Sequence, residues 1–366
     1  MKVLFLGGCG EMAVPMLRLL AADDAFEQVT IADLDGGNAS QKAASSGAKF
    51  SGLRLDATDH AALVRAAREH DLVLSYVGPF YFFERRVGLA AIEAGAHYLS
   101  ISDDYDAFLS IYTLEQAARE AGVKLLTGFG NSPGLTQALA RQGFLALDEP
   151  KRIAINWAAG SNEAVGPANI LHVMHFMTGT TIQYQDGRML AVRAGGGKKM
   201  VDFPEPIGTT AVYYTGHAES VTIPNFLPGL TDVSLHGGSV PSWIFPFVAR
   251  LARLGLTATH ERRQKLLKAI TPLLPLFQGK NDPDKSVGRV EVSGAHEGRP
   301  REVHYRYVGH IADITSIPCF VAARGLARGA HDDLPGGVYS AERLLVDPES
   351  FLDEVKDLGV TIEYHE

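Results

Sequence analysis

The chain has 366 residues, 46% of them hydrophobic, and a formal net charge of −8 at pH 7. This length exceeds what one core usually serves, so two domains are expected, and the acidic balance excludes a general binder of nucleic acids or anionic membranes. Only two cysteines occur and no apolar run approaches the ~18 residues of a membrane span, which favours a soluble, cytoplasmic protein that binds a small molecule.

Residues 1–130 alternate between strand-like and helix-like segments. Six short apolar runs indicate buried parallel strands: KVLFLG, QVTIADLD, LRLDATD, DLVLSYVGPF, HYLSIS and VKLLTGFG. Four stretches with helical spacing lie between them: EMAVPMLRLLAA, HAALVRAAREH, RRVGLAAIEAG and TLEQAAREAG. Asp59 is the predicted N-cap of the second helix, and Gly95 is predicted to close the third. The alternation predicts an α/β fold with a doubly wound parallel Rossmann sheet.

Residues 131–310 have a different pattern. KRIAINWAAG, GRMLAVRAGGGKKMVDF, TAVYYTGHAESVTI and GRVEVSGAHEGRPREVHYRYVGH are strand-like, with hairpin loops predicted at AGGGKK and GAHEGRP. Two helical stretches interrupt them, near 166–178 and 242–256. An α+β second domain with a mostly antiparallel mixed sheet is therefore predicted. The apolar helix predicted over 316–329 is expected to pack back on the first domain.

A glycine-rich turn joins the first predicted strand to the first helix. Gly8, Gly10 and Ala13 fit the pattern G-x-G-x-x-A, in the strand–turn–helix context that a dinucleotide site requires. We expect Gly8 to permit the tight turn, Gly10 to let a pyrophosphate approach the backbone, and Ala13 to keep helix and strand close. Glu11 and Met12 lie at the start of the helix, where free backbone N–H groups would face the phosphates.

Asp33 ends the second predicted strand, where an acid accepts hydrogen bonds from the ribose hydroxyls of a dinucleotide. Its carboxylate would repel a 2′-phosphate, and Leu34 beside it provides no arginine to receive one. NAD is therefore favoured as cofactor, with NADP as the alternative. Cys9 is interpreted as a small residue that fills the turn, although a helix start that lowers its pKa could make it a redox-sensing thiol.

Several segments in order resemble the saccharopine dehydrogenase-like oxidoreductases, a group that includes lysine 6-dehydrogenases and carboxynorspermidine dehydrogenases. They are GGCGEMA, VTIADLD, LDATD, YVGPF, GAHYLSIS, GFGNSPGLT, FPEPIG, HAESVTIP and GVYSAERLLVDPESFLDEVKDLGV. The resemblance implies a Rossmann domain, a substrate and dimerisation domain, and a C-terminal segment, 311–366, that returns to the Rossmann domain. It also implies hydride transfer between a nicotinamide cofactor and the carbon of a C–N bond in an amino-acid or polyamine metabolite, and a homodimer.

The sequence departs from this group after the fifth strand. Relatives tend to read HYVDLS followed by a carboxylate, whereas this chain reads HYLSISDDYDAF. Ser100 stands where the group has its acid, and carboxylates follow later at Asp103 and Asp104. The resemblance therefore leaves the substrate open.

Further site residues are predicted from the rule that ligands lie beyond the carboxyl ends of parallel strands. This rule places Asp56 and Ala57 near the adenine of the cofactor. Gly78, Pro79 and Phe80 would lie along its nicotinamide half. Asn131 and Ser132, in GFGNSPGL, are the predicted substrate contacts, although that segment is equally well explained as a structural turn.

Hydride transfer at an amine carbon also needs a group that moves a proton near neutral pH. His217 is the first candidate, and Glu219 would point the same way if both lie on a strand. Asp103 is the second candidate. A substrate carboxylate would call for a guanidinium, and the sequence leaves four candidates open: Arg188, Arg193, Arg289 and Arg301.

His172 and His175 lie one helical turn apart in HVMHF, but no HExxH motif or third ligand is evident, so no metal is expected. Two other functions remain open. The apolar stretch 242–256 would suit an enoyl reductase that acts on a lipid-like acyl substrate. A non-catalytic dinucleotide-binding sensor would bind NADH without turning over an amine.

Overall fold

The computed structural model describes residues 1–163, 166–276, 279 and 282–366. The chain divides into two compact units. The first unit combines Met1–Leu135 with Thr315–Leu344, and the second combines Thr136–Ile314 with Leu345–Glu366. The segment 311–366, expected to return as a whole to the Rossmann domain, is thus shared between both units.

The strands of the described residues are, in chain order, β1 (Lys2–Leu6), β2 (Gln28–Asp33), β3 (Phe50–Arg54), β4 (Leu72–Ser75), β5 (His97–Ser100), β6 (Lys124–Leu126), β7 (Glu149–Gly160), β8 (Thr180–Gln185), β9 (Arg188–Arg193), β10 (Lys199–Asp202), β11 (Thr209–Tyr214), β12 (Asp232–Val240), β13 (Ser286–His296), β14 (Arg299–Gly309), β15 (Gly337–Tyr339) and β16 (Thr361–His365).

The helices of the same residues are α1 (Ala13–Ala22), α2 (Gly36–Ser46), α3 (His60–Ala67), α4 (Phe80–Ala94), α5 (Tyr105–Tyr112), α6 (Glu115–Glu120), α7 (Leu135–Leu145), α8 (Pro167–Phe176), α9 (Glu219–Phe226), α10 (Ile244–Arg253), α11 (His260–Ile270), α12 (Ile311–Ala327), α13 (Ala341–Leu344) and α14 (Glu349–Asp357). A 3₁₀ helix over Thr271–Leu276 follows α11. None of these helices is long and apolar enough to cross a membrane.

The first unit contains the predicted doubly wound sheet. Its strand order is β15-β6-β5-β4-β1-β2-β3, and every neighbouring pair is parallel. The central strand β4 is buried over its whole length, as an unbroken apolar run predicts, whereas the edge strand β3 is mostly exposed. This confirms the fold class predicted for residues 1–130, with β15 added at one edge by the later part of the chain.

Two predicted helix boundaries are confirmed at atomic detail. The Asp59 side chain accepts a hydrogen bond from the Ala62 N–H at the start of α3. Gly95 ends α4 with φ +76°, a conformation that residues with a Cβ adopt only at a cost.

Two helices within residues 1–130 escaped the sequence patterns. In α2, only Ala39 and Ala43 are buried, so the segment has no apolar stripe to reveal it. Asp35 nevertheless caps it by accepting hydrogen bonds from two backbone N–H groups. The other helix, α5, lies in the stretch DDYDAFLSIY, where the acids and tyrosines mask the helical spacing.

The second unit contains the predicted mixed sheet. Nine strands of the described residues form it. Seven follow the order β10-β11-β12-β7-β13-β14-β16, and off this path β8 pairs with β12 and β9. All pairs are antiparallel except β12 with β7, so the mostly antiparallel mixed sheet is confirmed. GAHEGRP is the hairpin between β13 and β14, as predicted. AGGGKK is not a hairpin, because β9 pairs with β8 whereas β10 pairs with β11.

The predicted strand over TAVYYTGHAESVTI is wrong in its second half. Strand β11 ends at Tyr214, and α9 begins at Glu219. The β-branched run Val221–Ile223 predicted a strand, but these residues are buried in a helix that packs against β8 and β12. Tertiary packing has therefore overridden a local preference.

The helix expected over 316–329 is α12, and its contacts from Thr315 onward lie in the first unit. Phe320 packs on Phe26 with ring centroids 5.9 Å apart, and Ser316 Oγ donates to the Met12 carbonyl at 2.7 Å. In contrast, β16 pairs with β14 and thus belongs to the sheet of the second unit.

Candidate active site

The turn between β1 and α1 is built on three glycines that have different tasks. Gly7 has φ +73°, and a Cβ there would lie 2.9 Å from the Tyr76 carbonyl. The residue that permits the tight turn is therefore Gly7, not Gly8 as predicted. Gly8 is needed for packing, because its Cβ would lie 3.0 Å from Ile31 Cγ2. The sequence showed the Gly7–Gly8 pair, but it did not show which of the two adopts the positive φ that the turn requires.

This turn fits a pyrophosphate. A Cβ on Gly10 would find its nearest neighbour, the Gly7 carbonyl oxygen, at 3.5 Å, so the space above Gly10 is open. Among the described residues, the N–H groups of Cys9, Glu11 and Met12 donate to no backbone carbonyl. They leave hydrogen-bond donors at the start of a ten-residue helix, where the helix dipole favours an anion. Ala13, predicted to keep helix and strand close, is fully buried.

Asp33 lies next to this turn, at the end of β2. Its Oδ1 accepts a hydrogen bond from the Asp35 N–H at 3.0 Å, and its carboxylate faces the Cys9 thiol. Burial, reinforced by the Asp33 charge, raises the pKa of Cys9 to about 11. The thiol is therefore protonated at neutral pH, which argues against the redox-sensing alternative. The glycine turn and the predicted ribose acid form one continuous surface.

An arginine accompanies Asp33 after all, and it comes from the neighbouring strand. Arg54 is the register partner of Asp33 in the β2–β3 pairing. Both residues line an open cleft of about 890 Å³, together with Ser40 and the first residues of α2. The expectation that no arginine is at hand was wrong because it considered only the residue next to Asp33 in sequence.

The five other predicted cofactor contacts follow β3 and β4, at the same edge of the sheet. Asp56 is exposed, and its carboxylate accepts hydrogen bonds from both the N–H and the hydroxyl of Thr58. These bonds lower the pKa of Asp56. Ala57 is half-buried beside it. Gly78 and Pro79 lead into α4, whose first residue is Phe80.

The predicted substrate contacts lie between β6 and α7 and are buried. Asn131 is 8% exposed, and its Oδ1 has no hydrogen-bond partner among the described residues. Ser132 beside it is 7% exposed. The loop folds back on itself, with Gly130 and Gly134 bridged as in a short ladder. A buried acceptor without a donor is costly, which favours a ligand role for Asn131 over a purely structural turn.

The loop after β5 carries the two predicted carboxylates in different settings. Asp103 is half-buried. Asp104 is 1% exposed, precedes α5, and accepts a hydrogen bond from the Tyr81 N–H at the start of α4. Asp104 thus contributes to positioning α4, whereas Asp103 is the more accessible of the two.

A third carboxyl group of this region, Glu84, was missed by the motifs. It lies in the second turn of α4 and is only 1% exposed. Its oxygens accept hydrogen bonds from the hydroxyls of Tyr98 at 2.8 Å, Ser100 at 2.7 Å and Thr127 at 2.6 Å. Burial raises the pKa of Glu84 to about 7, against the lowering effect of these bonds. No sequence signal pointed to it, because Glu84 precedes the stretch RRVGLAAIEAG over which the helix was predicted, and α4 begins earlier, at Phe80.

In the second unit, His217 lies in the loop between β11 and α9 and is 5% exposed. Its Nε2 is 3.1 Å from Nε2 of His172, on α8. The Trp157 ring stacks on it at 5.1 Å with an interplanar angle of 13°, and Phe176 contacts it edge-on. His217 thus has a buried imidazole partner, and that partner is His172 rather than a strand neighbour.

The predicted pairing of His217 with Glu219 on one strand face is wrong, because Glu219 is the first residue of α9. The Glu219 side chain is fully buried, and its Oε1 accepts a hydrogen bond from the Thr136 hydroxyl at 2.8 Å. Burial, with the nearby Glu219 charge, raises the pKa of Tyr307.

Two of the four candidate arginines for a substrate carboxylate are engaged with carboxylates of the chain. Arg289 forms an ion pair with Glu291 at 2.6 Å, and Arg301 forms one with Glu366 at 2.6 Å. Arg188 and Arg193 are exposed at the two ends of β9.

Residues 3–126 match a family model described as the saccharopine dehydrogenase NADP binding domain. Among solved structures, the chain is similar to saccharopine dehydrogenase (L-Glu forming) from Saccharomyces cerevisiae, with 18% identity, a TM-score of 0.71 and 100% of both chains covered. It is also similar to homospermidine synthase from Legionella pneumophila in complex with NAD, with 13% identity, a TM-score of 0.62, and 100% of this chain and 91% of that chain covered. An engineered D-amino acid dehydrogenase bound to NADP+ follows with 13% identity, a TM-score of 0.51, and 97% and 98% coverage.

These matches confirm the resemblance inferred from the ordered motifs and support an NAD(P) oxidoreductase. The glycine turn, its free N–H groups and the family match identify NAD(P) as the cofactor of the first unit. Residues 3–126 are thus a dinucleotide-binding domain of the saccharopine dehydrogenase type, in a chain that has the fold of saccharopine dehydrogenase.

Proposed function

We propose that this protein is an NAD(P)-dependent oxidoreductase that acts on CH–NH donors, with an amino-acid-like or polyamine-like substrate. The domain family supports the cofactor. Saccharopine dehydrogenase, homospermidine synthase and D-amino acid dehydrogenase, the structures reported above, are all named for amine chemistry. When bound, the nicotinamide ring supplies a two-electron hydride acceptor or donor.

The first unit holds and orients the cofactor. The turn N–H groups bind the pyrophosphate, and Gly10 leaves room for it. Asp33 accepts hydrogen bonds from the ribose hydroxyls, which favours NAD. Arg54 lies in the same cleft and offers a positive charge to a 2′-phosphate, so we expect the preference for NAD to be moderate rather than absolute.

The proton chemistry is assigned to His217, and one observation carries this assignment: the buried imidazole has its Nε2 hydrogen-bonded to a second imidazole. Imidazole is the side chain whose ordinary pKa is best matched to proton transfer near neutral pH. In the oxidative direction, the substrate ammonium gives one proton to His217 and its carbon gives a hydride to the cofactor, which leaves an iminium ion. In the reverse direction, His217 returns the proton to nitrogen.

The test has two steps in one cuvette. NADH binding is first measured by its fluorescence, and an amine panel of lysine, saccharopine and polyamine conjugates is then added with NAD. We expect NADH formation with one amine. His217→Ala should lower kcat by ~10²–10⁴-fold and leave the Kd for NADH within about twofold, since general acid–base groups contribute by this order. His175→Ala, on α8 of the same unit, serves as the matched control.

Other outcomes identify the alternatives. Turnover of an enoyl-acyl substrate but of no amine would establish the acyl reductase. NADH binding without any turnover would favour a sensor. Near-wild-type kcat in His217→Ala would remove His217 from the mechanism, and absent NADH binding would contradict the interpretation of the glycine turn.

A further inference from the structure

The two histidines of the second unit form a pair that was not anticipated. His172 lies on α8 and His217 follows β11, 45 residues later. Their ring centroids are 5.1 Å apart, which exceeds the 3.1 Å between the two Nε2 atoms by 2.0 Å. The rings therefore meet by their edges, with the two Nε2 atoms facing each other, and are not stacked.

This geometry limits how many protons the pair holds. A hydrogen bond between two Nε2 atoms needs a proton on one and a lone pair on the other. Protonation of both would point two N–H groups at each other across 3.1 Å in a buried site. The pair therefore titrates as a unit, in which one positive charge is supported and a second is resisted.

The surroundings favour one charge on the pair. The face of Trp157 lies parallel to His217, and an aromatic face attracts a cation. Phe176 contacts both imidazoles by its edge, at 4.8 Å from His172 and 5.4 Å from His217. Burial opposes ionisation, whereas the hydrogen bond to the partner imidazole and the indole face both favour a single imidazolium.

Other titratable or charged groups lie on the elements around the pair. His175 is on α8 itself, Glu219 begins α9, and β14 carries Tyr307, whose pKa is raised by burial. Arg263 is on α11, which packs against α8, and its guanidinium donates to the Thr257 carbonyl. Among these neighbours, His175 is the one that is also an imidazole, which makes it the proper control.

We infer that His172 is the positioning residue of His217: it fixes the tautomer of that imidazole and shares one proton with it through the facing Nε2 atoms. This inference rests on the proposed function for its catalytic consequence. The proton that the substrate ammonium releases enters the pair, which becomes a single shared cation. The proton leaves the pair for solvent or, in reduction, for the nitrogen of the amine that hydride addition has formed.

The stacked indole provides a readout that needs no substrate. The chain has two tryptophans, so Trp243→Phe leaves Trp157 as the single reporter. An imidazolium quenches a stacked indole more strongly than a neutral imidazole does. In this background, we expect the fluorescence of Trp157 to fall on acidification between pH 8 and 5 with one midpoint, and His217→Ala to abolish the transition.

The decisive variants replace His172, the hydrogen-bond partner of His217. His172→Leu removes the hydrogen bond and should lower the midpoint by at least one pH unit, a tenfold loss of proton affinity. His172→Gln keeps a polar group of similar reach and should lower it less, and it provides the test if the leucine variant fails to fold. His175→Gln should leave the midpoint unchanged. Equal midpoints in the parent and in both His172 variants would overturn the inference.

Two Nε2 atoms at this distance could instead hold a metal ion. Dialysis against a chelator, followed by return of Zn²⁺, decides this: a transition that chelator alters and Zn²⁺ restores would overturn the shared proton. If the amine panel gives turnover, His172→Leu should shift the acidic limb of the pH profile of kcat by as many pH units as it shifts the fluorescence midpoint. It should leave KM for the cofactor unchanged. If the panel fails while the midpoints move as expected, the proposed function falls and the shared proton stands.

Discussion

Replacing Glu84 with glutamine tests whether a buried, uncompensated carboxyl group tunes the stability of the first unit. Glu84 receives three hydroxyl hydrogen bonds and is not paired with a cation in the described part of the chain. In Glu84→Gln, the amide oxygen keeps the bonds from Ser100 and Thr127, and the amide nitrogen donates to the Tyr98 hydroxyl. The variant therefore removes the charge and preserves the network.

The expected magnitude follows from the pKa. Burial raises the pKa of Glu84 from an ordinary 4.5 to about 7, so the folded state binds the proton more tightly than the unfolded state does. This contribution to stability is complete below pH 4.5 and is lost as the pH rises through 7. At ~1.4 kcal/mol per unit, the loss between these limits is about 3 kcal/mol. Because glutamine does not ionise, the Glu84→Gln variant should not show this loss of stability.

Thermal unfolding at pH 5, 7 and 8.5 measures this difference. We expect the midpoint of Glu84→Gln relative to wild type to rise by roughly 6–12 °C between pH 5 and 8.5, given ~2–4 °C per kcal/mol for a unit of this size. Glu93→Gln, on the exposed face of the same helix, serves as the control and should show no such trend. Parallel pH profiles for wild type and Glu84→Gln would refute the argument.

Three further tests, which use five substitutions, address the turn, the cofactor cleft and the sheet. Gly7→Ala should destabilise the protein by roughly 1–2 kcal/mol, because φ +73° is strained for alanine. Gly10→Ala should leave the free energy of unfolding unchanged and weaken NADH binding at least tenfold. Calorimetry measures the first effect, and NADH titration measures the second. Asp33→Ala should relax the Kd preference for NAD over NADP, and Arg54→Gln in that background should restore it by weakening NADP alone; unchanged Kd ratios would contradict both roles. Gly288→Ala should cost about 1–3 kcal/mol in denaturant unfolding, since its Cβ would overlap the Tyr307 ring, and wild-type stability would show that the ring moves freely.

The elements that the sequence predicted correctly are those in which local pattern and tertiary role coincide. The strand β4 is apolar along its length because it is buried on both faces, and Asp59 caps a helix whose start is marked by the residue itself. Helix α2 was missed because it buries only two alanines, so its sequence has no apolar stripe at helical spacing. Helix α9 was mistaken for a strand because Val221–Ile223 are β-branched and buried for reasons that lie in other strands.

The candidate cofactor site was predictable for the same reason, whereas the buried partner of His217 was not. The glycine turn and Asp33 are a short-range motif, so the sequence could place them. Arg54 reaches Asp33 only through strand register, and His172 reaches His217 only through the packing of α8. Spacing within HVMHF pointed to His175 as the neighbour of His172, which shows that spacing is a weak guide to contacts between elements.

Position 100 shows that a carboxyl group can lie beside the end of a strand that carries no acid itself. The resemblance to saccharopine dehydrogenase-like enzymes implies an acid in β5, where this chain has Ser100. The structure brings the Glu84 carboxylate from α4 to the Ser100 hydroxyl at 2.7 Å, so a carboxyl group lies beside this strand end although the strand carries none. A buried carboxylate needs donors, and Tyr98, Ser100 and Thr127 supply three. Ser100, at the position where the resemblance implies an acid, is thus one of the donors to the buried Glu84 carboxyl group. Ser100→Ala should raise the pKa of Glu84 further by removing one of these hydrogen bonds.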